Sequence, residues 1–307
     1  MAIISKIDYK IYKKFDKVAY FGAIILLAAV AIPGLGYSSY GATRWINLKF
    51  TTFQPSEVAK VALVVFYATY LTNNRDKLGN LWEGFFRPVL FLGPILAILL
   101  GLQSHLSASV LIILVISVMM IMAGSKLKYF LTFGSAAAIG GGGLLYILAK
   151  TTEFGKYRLA RLTAFLNPWA DPTDSGWQII QSLYAIGSGG LFGAGLGNST
   201  QKYLYLPVPQ NDFIFAVIAE ELGFVGCIFV IALFAVFVWR GVLIAMKAPD
   251  MFGSLLATGI TAIIGLQALI NIAVVTSSMP NTGMQLPFFS YGGTSLLILL
   301  CSVRSIA

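Results

Sequence analysis

Apolar runs of about 17 to 25 residues recur along the whole chain, and they restrict the folds open to it. A helical run of this length crosses the hydrocarbon core of a bilayer, which is about 30 Å thick. The chain is 58% hydrophobic and 11% charged, whereas soluble domains carry about 25% charged residues. Because backbone polar groups inside lipid must be satisfied within the protein, the runs are predicted to be helices. The sequence therefore indicates an all-α, polytopic membrane protein without a separate soluble domain.

Eight membrane-spanning helices are predicted, and we expect them to form one membrane domain over residues 1–307. They cover about residues 18–35, the run that follows FQPSEVAK and ends near 71, 86–102, 106–123, 130–148, 213–239, 255–275 and 294 onward. The stretch from 150 to 212 contains no convincing span and is rich in Gly, Pro, Asn and Ser. Since a loop this long in a compact protein is usually functional, we expect a functional loop here.

The net charge of +9 is distributed as in a membrane protein, so a nucleic-acid partner is not expected. Five lysines lie before the first span. Placing the N-terminus inside puts 13 Lys and Arg residues in inside segments and seven in outside segments. An excess of basic residues in cytoplasmic loops is the positive-inside pattern. The sequence therefore predicts a protein of the cytoplasmic membrane with its N-terminus inside and the 150–212 loop outside.

Three carboxylates lie close to the apolar run that begins at Phe213. Asp212 directly precedes this run, and Glu220 and Glu221 lie about two turns inside it. A carboxylate at membrane depth costs several kcal/mol unless it is paired or hydrated, so the cluster indicates a water-filled functional cavity. Locally, Asp212 is typical of a helix N-cap, and a capping carboxylate is still able to accept a proton from a substrate hydroxyl.

Two pairs of polar residues near the second span are further candidates. Glu57 and Lys60 are three residues apart and therefore share a helix face, which suits either a structural ion pair or a functional site. Arg44 and Trp45 together suit an anchor at the level of the lipid headgroups. Both alternatives remain open for the first pair.

Basic residues of the 150–212 loop are candidates for contact with a phosphate group. They are Arg158, Arg161 and Lys202. Solvated loop charges are the commoner case for such residues, and binding to phosphate is the alternative. His105 is the only histidine, which excludes a metal site built from several histidines of one chain.

Five stretches resemble the SEDS family, the shape, elongation, division and sporulation proteins that include FtsW, RodA and SpoVE. They are GATRWI, FQPSEVAK, NPWADP with WQIIQSLYAIGSGGLFGAGLGNSTQK, LPVPQNDFIFAVIAEELG and PNTGMQLPFFSYGGTS. They occur in family order from about Tyr9 to the end of the sequence. The wording of the region around Asp212 is most similar to FtsW or SpoVE of Gram-positive bacteria.

The resemblance implies a ten-helix fold, of which the first two helices and the end of the last are expected to be missing from residues 1–307. It also implies a glycosyltransferase that polymerises lipid II, an undecaprenyl-diphosphate-linked disaccharide peptide, into peptidoglycan. A class B penicillin-binding protein and other proteins of the division or elongation machinery are the implied partners. By the same resemblance, Asp212 is the catalytic residue, and Glu57 and Lys60 are the membrane residues of the QPSE-K motif.

Two other functions fit the same sequence. A lipid II flippase would use the same substrate and an acidic cavity, although internal repeats typical of alternating access are not evident. A scaffold without activity is the third alternative. For the transferase, we expect Asp212 to act as general base, with Arg158, Arg161, Lys202 or a divalent cation, Mg²⁺ or Mn²⁺, placed against the departing diphosphate.

Overall fold

The structure is a computed structural model that describes residues 8–39, 42–47, 52–152, 165–170, 172, 176–202, 206 and 209–305. Its helices are α1 (Lys10–Lys14), α2 (Asp16–Ala29), α3 (Pro55–Asn73), α4 (Trp82–Leu102), α5 (Leu106–Ala123), α6 (Leu127–Thr151), α7 (Trp177–Ser188), α8 (Ile214–Lys247), α9 (Met251–Val275) and α10 (Gly293–Arg304). Each predicted span therefore coincides with one of these helices. The helix α7 lies in the 150–212 stretch and, at 12 residues, is too short to cross a bilayer.

Four helices of the described residues are long and apolar enough to cross a membrane: α4, α5, α8 and α9. The other four predicted spans correspond to α2, α3, α6 and α10. The helix α5 matches its prediction at both ends because His105 accepts a hydrogen bond at its start and Gly124, with φ of 111°, ends it. The predicted class, a polytopic helical membrane protein, is confirmed.

The polar stretch after α2, which lies between the first two predicted spans, forms a small antiparallel sheet. Its strands are β1 (Gly36–Ser39), β2 (Ala42–Asn47) and β3 (Thr52–Phe53), in the order β1-β2-β3. Tyr37 and Trp45 are cross-strand partners. Aromatic and β-branched residues favour a pleated surface, and the ATRWI part of the motif GATRWI thus lies on β2.

The chain forms two compact units, and one of them comprises Met1–Phe130, Phe237–Leu266 and Gly292–Ala307. The helix α3 is its most buried element. Tyr67 of α3 is fully buried and donates a hydrogen bond to the Pro88 carbonyl at 2.6 Å. Phe66 stacks on Tyr20 of α2 with ring centroids 4.4 Å apart. Aromatic packing and a satisfied phenol therefore hold α3 in this unit.

The second unit comprises Leu131–Val236 and Gln267–Tyr291. Within it, α8 is interrupted at Gly223, which has φ of 68° and ψ of −166°. The stretch from 189 to 195 passes this interruption: the Phe224 N–H donates to the Gly190 carbonyl, and the Gly195 N–H to the Glu221 carbonyl. Only a residue without a side chain fits at position 223, since a Cβ there would lie 2.3 Å from the Gly193 nitrogen. The single-domain organisation stays a prediction.

Candidate active site

Asp212 lies two residues before α8, which begins at Ile214, so it stands one residue outside the position that directly precedes the helix. Its side chain is half-buried. Its backbone carbonyl accepts a hydrogen bond of 2.7 Å from Nδ2 of Asn271 on α9. A Cβ atom at Gly283 would lie 3.2 Å from Asp212 Oδ2. The carboxylate therefore lies beside the backbone of the segment that joins α9 to α10.

The backbone around Asp212 is held at three consecutive carbonyls. The Gln210 carbonyl accepts from the Tyr291 N–H at 2.8 Å, and the Asn211 carbonyl accepts from Ser290 Oγ at 2.5 Å. The third carbonyl, that of Asp212 itself, accepts from Asn271 Nδ2. The bonds to the Asn211 and Asp212 carbonyls are partly buried, and they restrict backbone motion because breaking one leaves a partly buried polar group unsatisfied. The Asp212 carboxylate is thus carried on a fixed segment, as general-base catalysis requires.

Segment 276–291, which joins α9 to α10 and is called the α9–α10 segment below, has ties of its own. Ser290 Oγ accepts from the Leu286 N–H at 2.7 Å while donating to Asn211. Asn281 Nδ2 donates to Gln178 Oε1 on α7 at 2.7 Å. The motif PNTGMQLPFFSYGG therefore builds the backbone that surrounds Asp212.

Glu220 is buried, and its carboxylate binds the chain just before the Asp212 region. It accepts hydrogen bonds from Ser199 Oγ at 2.5 Å, from the N–H and hydroxyl of Thr200 at 2.9 and 2.8 Å, and from the Gln201 N–H at 3.3 Å. The side chain is only 2% exposed. These contacts indicate that Glu220 fixes residues 199–201, and its predicted place in a functional cavity stays a prediction.

Lys202 and Glu221 form an ion pair. Lys202 Nζ lies 2.7 Å from Glu221 Oε1 and donates a second hydrogen bond of 2.7 Å to the Gly197 carbonyl. The adjacent carboxylates of α8 thus face different partners, as their sequence positions predict. The two acids therefore tie down residues 197–202, and the predicted water-filled cavity stays a prediction.

Glu57 and Lys60 form the ion pair that their spacing predicts. Lys60 Nζ lies 2.9 Å from Glu57 Oε2, and both side chains are buried in the unit that contains α3. Lys60 lines a small void together with Leu63, Ile112 and Ile116. Such a pair is costly to bury and is compatible with either a structural or a functional role, so the latter stays a prediction.

Arg44 lies on β2 and binds the turn between α4 and α5. It donates to the Gln103 carbonyl at 3.4 Å and to the Ser104 carbonyl at 2.9 Å. His105 follows this turn; its burial, together with the charges of Arg44 and Lys60, lowers its pKa to about 3. The imidazole is therefore neutral at physiological pH. The guanidinium of Arg44 thus organises a turn, and Trp45 next to it is half-buried on the sheet.

The predicted site residues fall into two groups. Arg44, Trp45, Glu57 and Lys60 lie in one unit, and Lys202, Asp212 and Glu220 lie in the other. Arg158 and Arg161 lie outside the described residues. In the part of the chain that the structure describes, no group of three His, Cys, Asp or Glu side chains is placed to hold a metal ion. The divalent cation expected for the transferase stays a prediction, since Mg²⁺ is usually held by one or two carboxylates together with substrate phosphates.

Residues 1–307 match the family of cell cycle proteins that comprises FtsW, RodA and SpoVE. The chain belongs to the FtsW/RodA/SpoVE family. It is 45% identical over 303 residues to a probable peptidoglycan glycosyltransferase FtsW of Geobacter sp. (strain M18), covering 99% of this chain and 80% of that protein. It is 41% identical over 303 residues to stage V sporulation protein E of Bacillus subtilis (strain 168), covering 99% and 81%.

Solved structures of the FtsW/RodA/SpoVE family have the same fold. One, described as "Structural coordination of polymerization and crosslinking by a peptidoglycan synthase complex", has a TM-score of 0.83 at 27% identity and covers 99% of this chain and 83% of that chain. The rod shape determining protein RodA of Thermus thermophilus has a TM-score of 0.70 at 25% identity, covering 99% and 80%. The predicted family resemblance is therefore confirmed.

Three residues of this FtsW/RodA/SpoVE site were not singled out from the sequence: Asn271, Gly283 and Ser290. A signal for the first was present, since Gln267 and Asn271 are polar residues four apart in an apolar span. Gly283 and Ser290 belong to the quoted motif PNTGMQLPFFSYGG, but their contacts with residues 211–212 depend on long-range folding. Sequence spacing alone does not reveal such contacts.

Proposed function

We propose that this member of the FtsW/RodA/SpoVE family is a peptidoglycan glycosyltransferase that polymerises lipid II at the outer face of the cytoplasmic membrane, with Asp212 as general base. The names of its relatives support the reaction class. The observation that supports the residue is the fixation of three consecutive carbonyls, from Gln210 to Asp212, by the α9–α10 segment and Asn271. A carboxylate carried on such a segment keeps its direction during proton transfer.

The step assigned to Asp212 is removal of a proton from the acceptor sugar hydroxyl. The oxygen of that hydroxyl forms the new bond to the anomeric carbon of the donor, and the bond between this carbon and the diphosphate breaks. Attack from the opposite face inverts the anomeric configuration, and undecaprenyl diphosphate leaves with the electron pair. The proton resides on the Asp212 carboxyl group until it passes to solvent.

The leaving diphosphate requires positive charge nearby. Lys202 is poorly suited to this role because its ammonium already binds Glu221 and the Gly197 carbonyl. Arg158 and Arg161 are the candidates we retain from the 150–212 loop. We also propose that polymerisation depends on Mg²⁺ or Mn²⁺. Measuring the polymerisation rate with and without a chelator tests this dependence.

The orientation and the partner are also proposed. The distribution of basic residues supports an N-terminus inside and the 150–212 loop outside. A related structure is described in terms of polymerization and crosslinking by one complex, which supports a transpeptidase partner for this chain. We propose a class B penicillin-binding protein of the division or elongation machinery in that role.

Substitution Asp212→Asn tests the assignment of the base. We expect the purified protein to insert normally and to polymerise fluorescent lipid II about 10²- to 10⁴-fold more slowly, because general-base catalysis contributes about that much. Asp250→Asn is the matched control. Asp250 and the Tyr9 hydroxyl that donates to it both lie in the unit that does not contain Asp212, so this substitution should leave the rate close to that of the parent.

The outcomes distinguish the alternatives. Polymerisation by Asp212→Asn at the parental rate would exclude Asp212 as the base. Lipid II translocation in vesicles without any glycan product would identify a flippase instead. If the protein gives no glycan product and no translocation, with or without the transpeptidase partner, it is a scaffold without activity.

A further inference from the structure

We propose that Asn271 is a positioning residue for this reaction, because its buried amide holds the peptide carbonyl of Asp212. This inference rests on the proposed role of Asp212 as general base. Asn271 lies on α9, in the middle of an apolar sequence, and is 1% exposed. Burial of an amide without hydrogen bonds is costly. An amide at this buried position therefore requires hydrogen-bond acceptors for its N–H groups.

Both N–H groups of the Asn271 amide have carbonyl acceptors. Nδ2 lies 2.7 Å from the Asp212 oxygen and 2.5 Å from the Met284 oxygen. One side chain thus binds two segments that are far apart in the sequence. Because the nitrogen donates to two carbonyls, its assignment as the NH₂ group is consistent with the network.

Both carbonyls belong to backbone next to the proposed base. Asp212 carries the carboxylate, and Met284 follows Gly283, whose Cβ position is 3.2 Å from Asp212 Oδ2. Loss of the amide would release the peptide that carries the base and also the backbone beside it. Displacement of a reacting group by about 1 Å lowers rates by about 10²-fold.

Gln267 provides a matched control one turn earlier on the same helix. It is 2% exposed, and its Nε2 donates to the Gln285 carbonyl at 3.0 Å. It is therefore a buried amide bound to the same α9–α10 segment. The acceptor of this hydrogen bond is Gln285 and not Asp212. Substitution to leucine at either position removes an amide of similar size from the same environment.

The experiment compares Asn271→Leu with Gln267→Leu in full-length protein in detergent. Both variants should lower the thermal midpoint, since each loses buried hydrogen bonds. Asn271→Leu should lower kcat for lipid II polymerisation by about 10- to 100-fold relative to Gln267→Leu, with KM little changed. Equal kcat for the two leucine variants would overturn the inference.

A double-mutant cycle separates positioning from a general loss of structure. In the Asp212→Asn background, Asn271→Leu should cause no further loss of rate, because the group it positions is already inactive. A full additional 10- to 100-fold loss would show that Asn271 does not act through Asp212. If Asp212→Asn alone retains the parental rate, the proposed function fails independently of this cycle.

Ser290→Ala serves as a milder variant should Asn271→Leu fail to fold. It removes the hydroxyl that donates to the Asn211 carbonyl, the neighbour of the same peptide. We expect a smaller loss of kcat, again absent in the Asp212→Asn background. A loss that persists unchanged in that background would count against positioning by the α9–α10 segment.

Discussion

Gly283 leaves the space that the Asp212 carboxylate occupies. Its φ is +59°, and a Cβ atom there would lie 3.2 Å from Asp212 Oδ2. An L-residue at this φ is strained by about 1–2 kcal/mol, and a methyl group so close would displace the carboxylate. Position 283 therefore constrains both the turn and the direction of the proposed base.

Substitution Gly283→Ala should reduce the rate of lipid II polymerisation by at least about 10-fold, because the methyl group would displace the carboxylate. Backbone strain without this displacement should reduce the rate less. Gly34→Ala is the control, because Gly34 has φ of +87° but open space around its Cβ position. Product formation and thermal midpoint are measured for both variants. Parental activity in Gly283→Ala would show that the carboxylate tolerates the methyl group.

Sequence reasoning at single residues succeeded where local spacing determines the contact. Glu57 and Lys60 pair as their separation of three predicts. Glu220 and Glu221 were correctly expected to face different partners, yet the identity of these partners depends on a loop 20 residues away. Asn271 was overlooked because its acceptors, Asp212 and Met284, lie 59 and 13 residues from it in the chain, outside its own helix.

The helix α8 is divided at Gly223, and the adjacent loop fills the interruption. The Phe224 and Val225 N–H groups donate to the carbonyls of Gly190 and Leu191 instead of to the preceding turn. These bonds satisfy backbone groups that the break would otherwise leave unpaired. The break and the loop therefore stabilise each other.

Substitution Gly223→Ala should destabilise the protein by about 2–4 kcal/mol, since it combines positive φ with severe overlap. The Cβ would lie 2.3 Å from the Gly193 nitrogen. Gly142→Ala in α6 is the control: its Cβ position is open, and alanine favours helix by about 1 kcal/mol. Thermal unfolding of both variants in detergent measures the difference. Unchanged stability in Gly223→Ala would mean that the break is not required.

The helices were predictable because long apolar runs determine them. The ends of α5 were placed correctly, and those of α8 and α9 within about eight residues, since polar and glycine boundaries mark only some ends. The sheet formed by β1, β2 and β3 was missed. Its strands are short, and their pairing depends on partners that composition does not specify.

Across the whole molecule, the proposed orientation predicts which segments face the cell exterior. With Cys227 and Cys301 replaced by serine, Ala194→Cys should react with a membrane-impermeant maleimide in intact cells, and Lys126→Cys should react only after permeabilisation. Both positions are exposed. Labelling in the reverse order would invert the topology and place Asp212 on the cytoplasmic side.

The division of the chain into two compact units was not predictable from hydropathy. Both units draw on distant parts of the sequence, and α8 and α9 each contribute residues to both. Hydropathy reports only that a segment is apolar. Hydropathy does not show which segments contact one another. The contact between Asp212 and the α9–α10 segment is therefore seen only in the structure.

The length of α8 after its interruption has a consequence for the lipid environment. The part from Phe224 to Lys247 is about 24 residues, or roughly 36 Å at about 1.5 Å per residue. That suffices to cross an average hydrocarbon core with modest tilt, and in the proposed orientation Glu220 and Ser199 would lie near its outer edge. In bilayers of long acyl chains, hydrophobic mismatch would draw these polar contacts into the hydrocarbon, and the enzyme should be slower there.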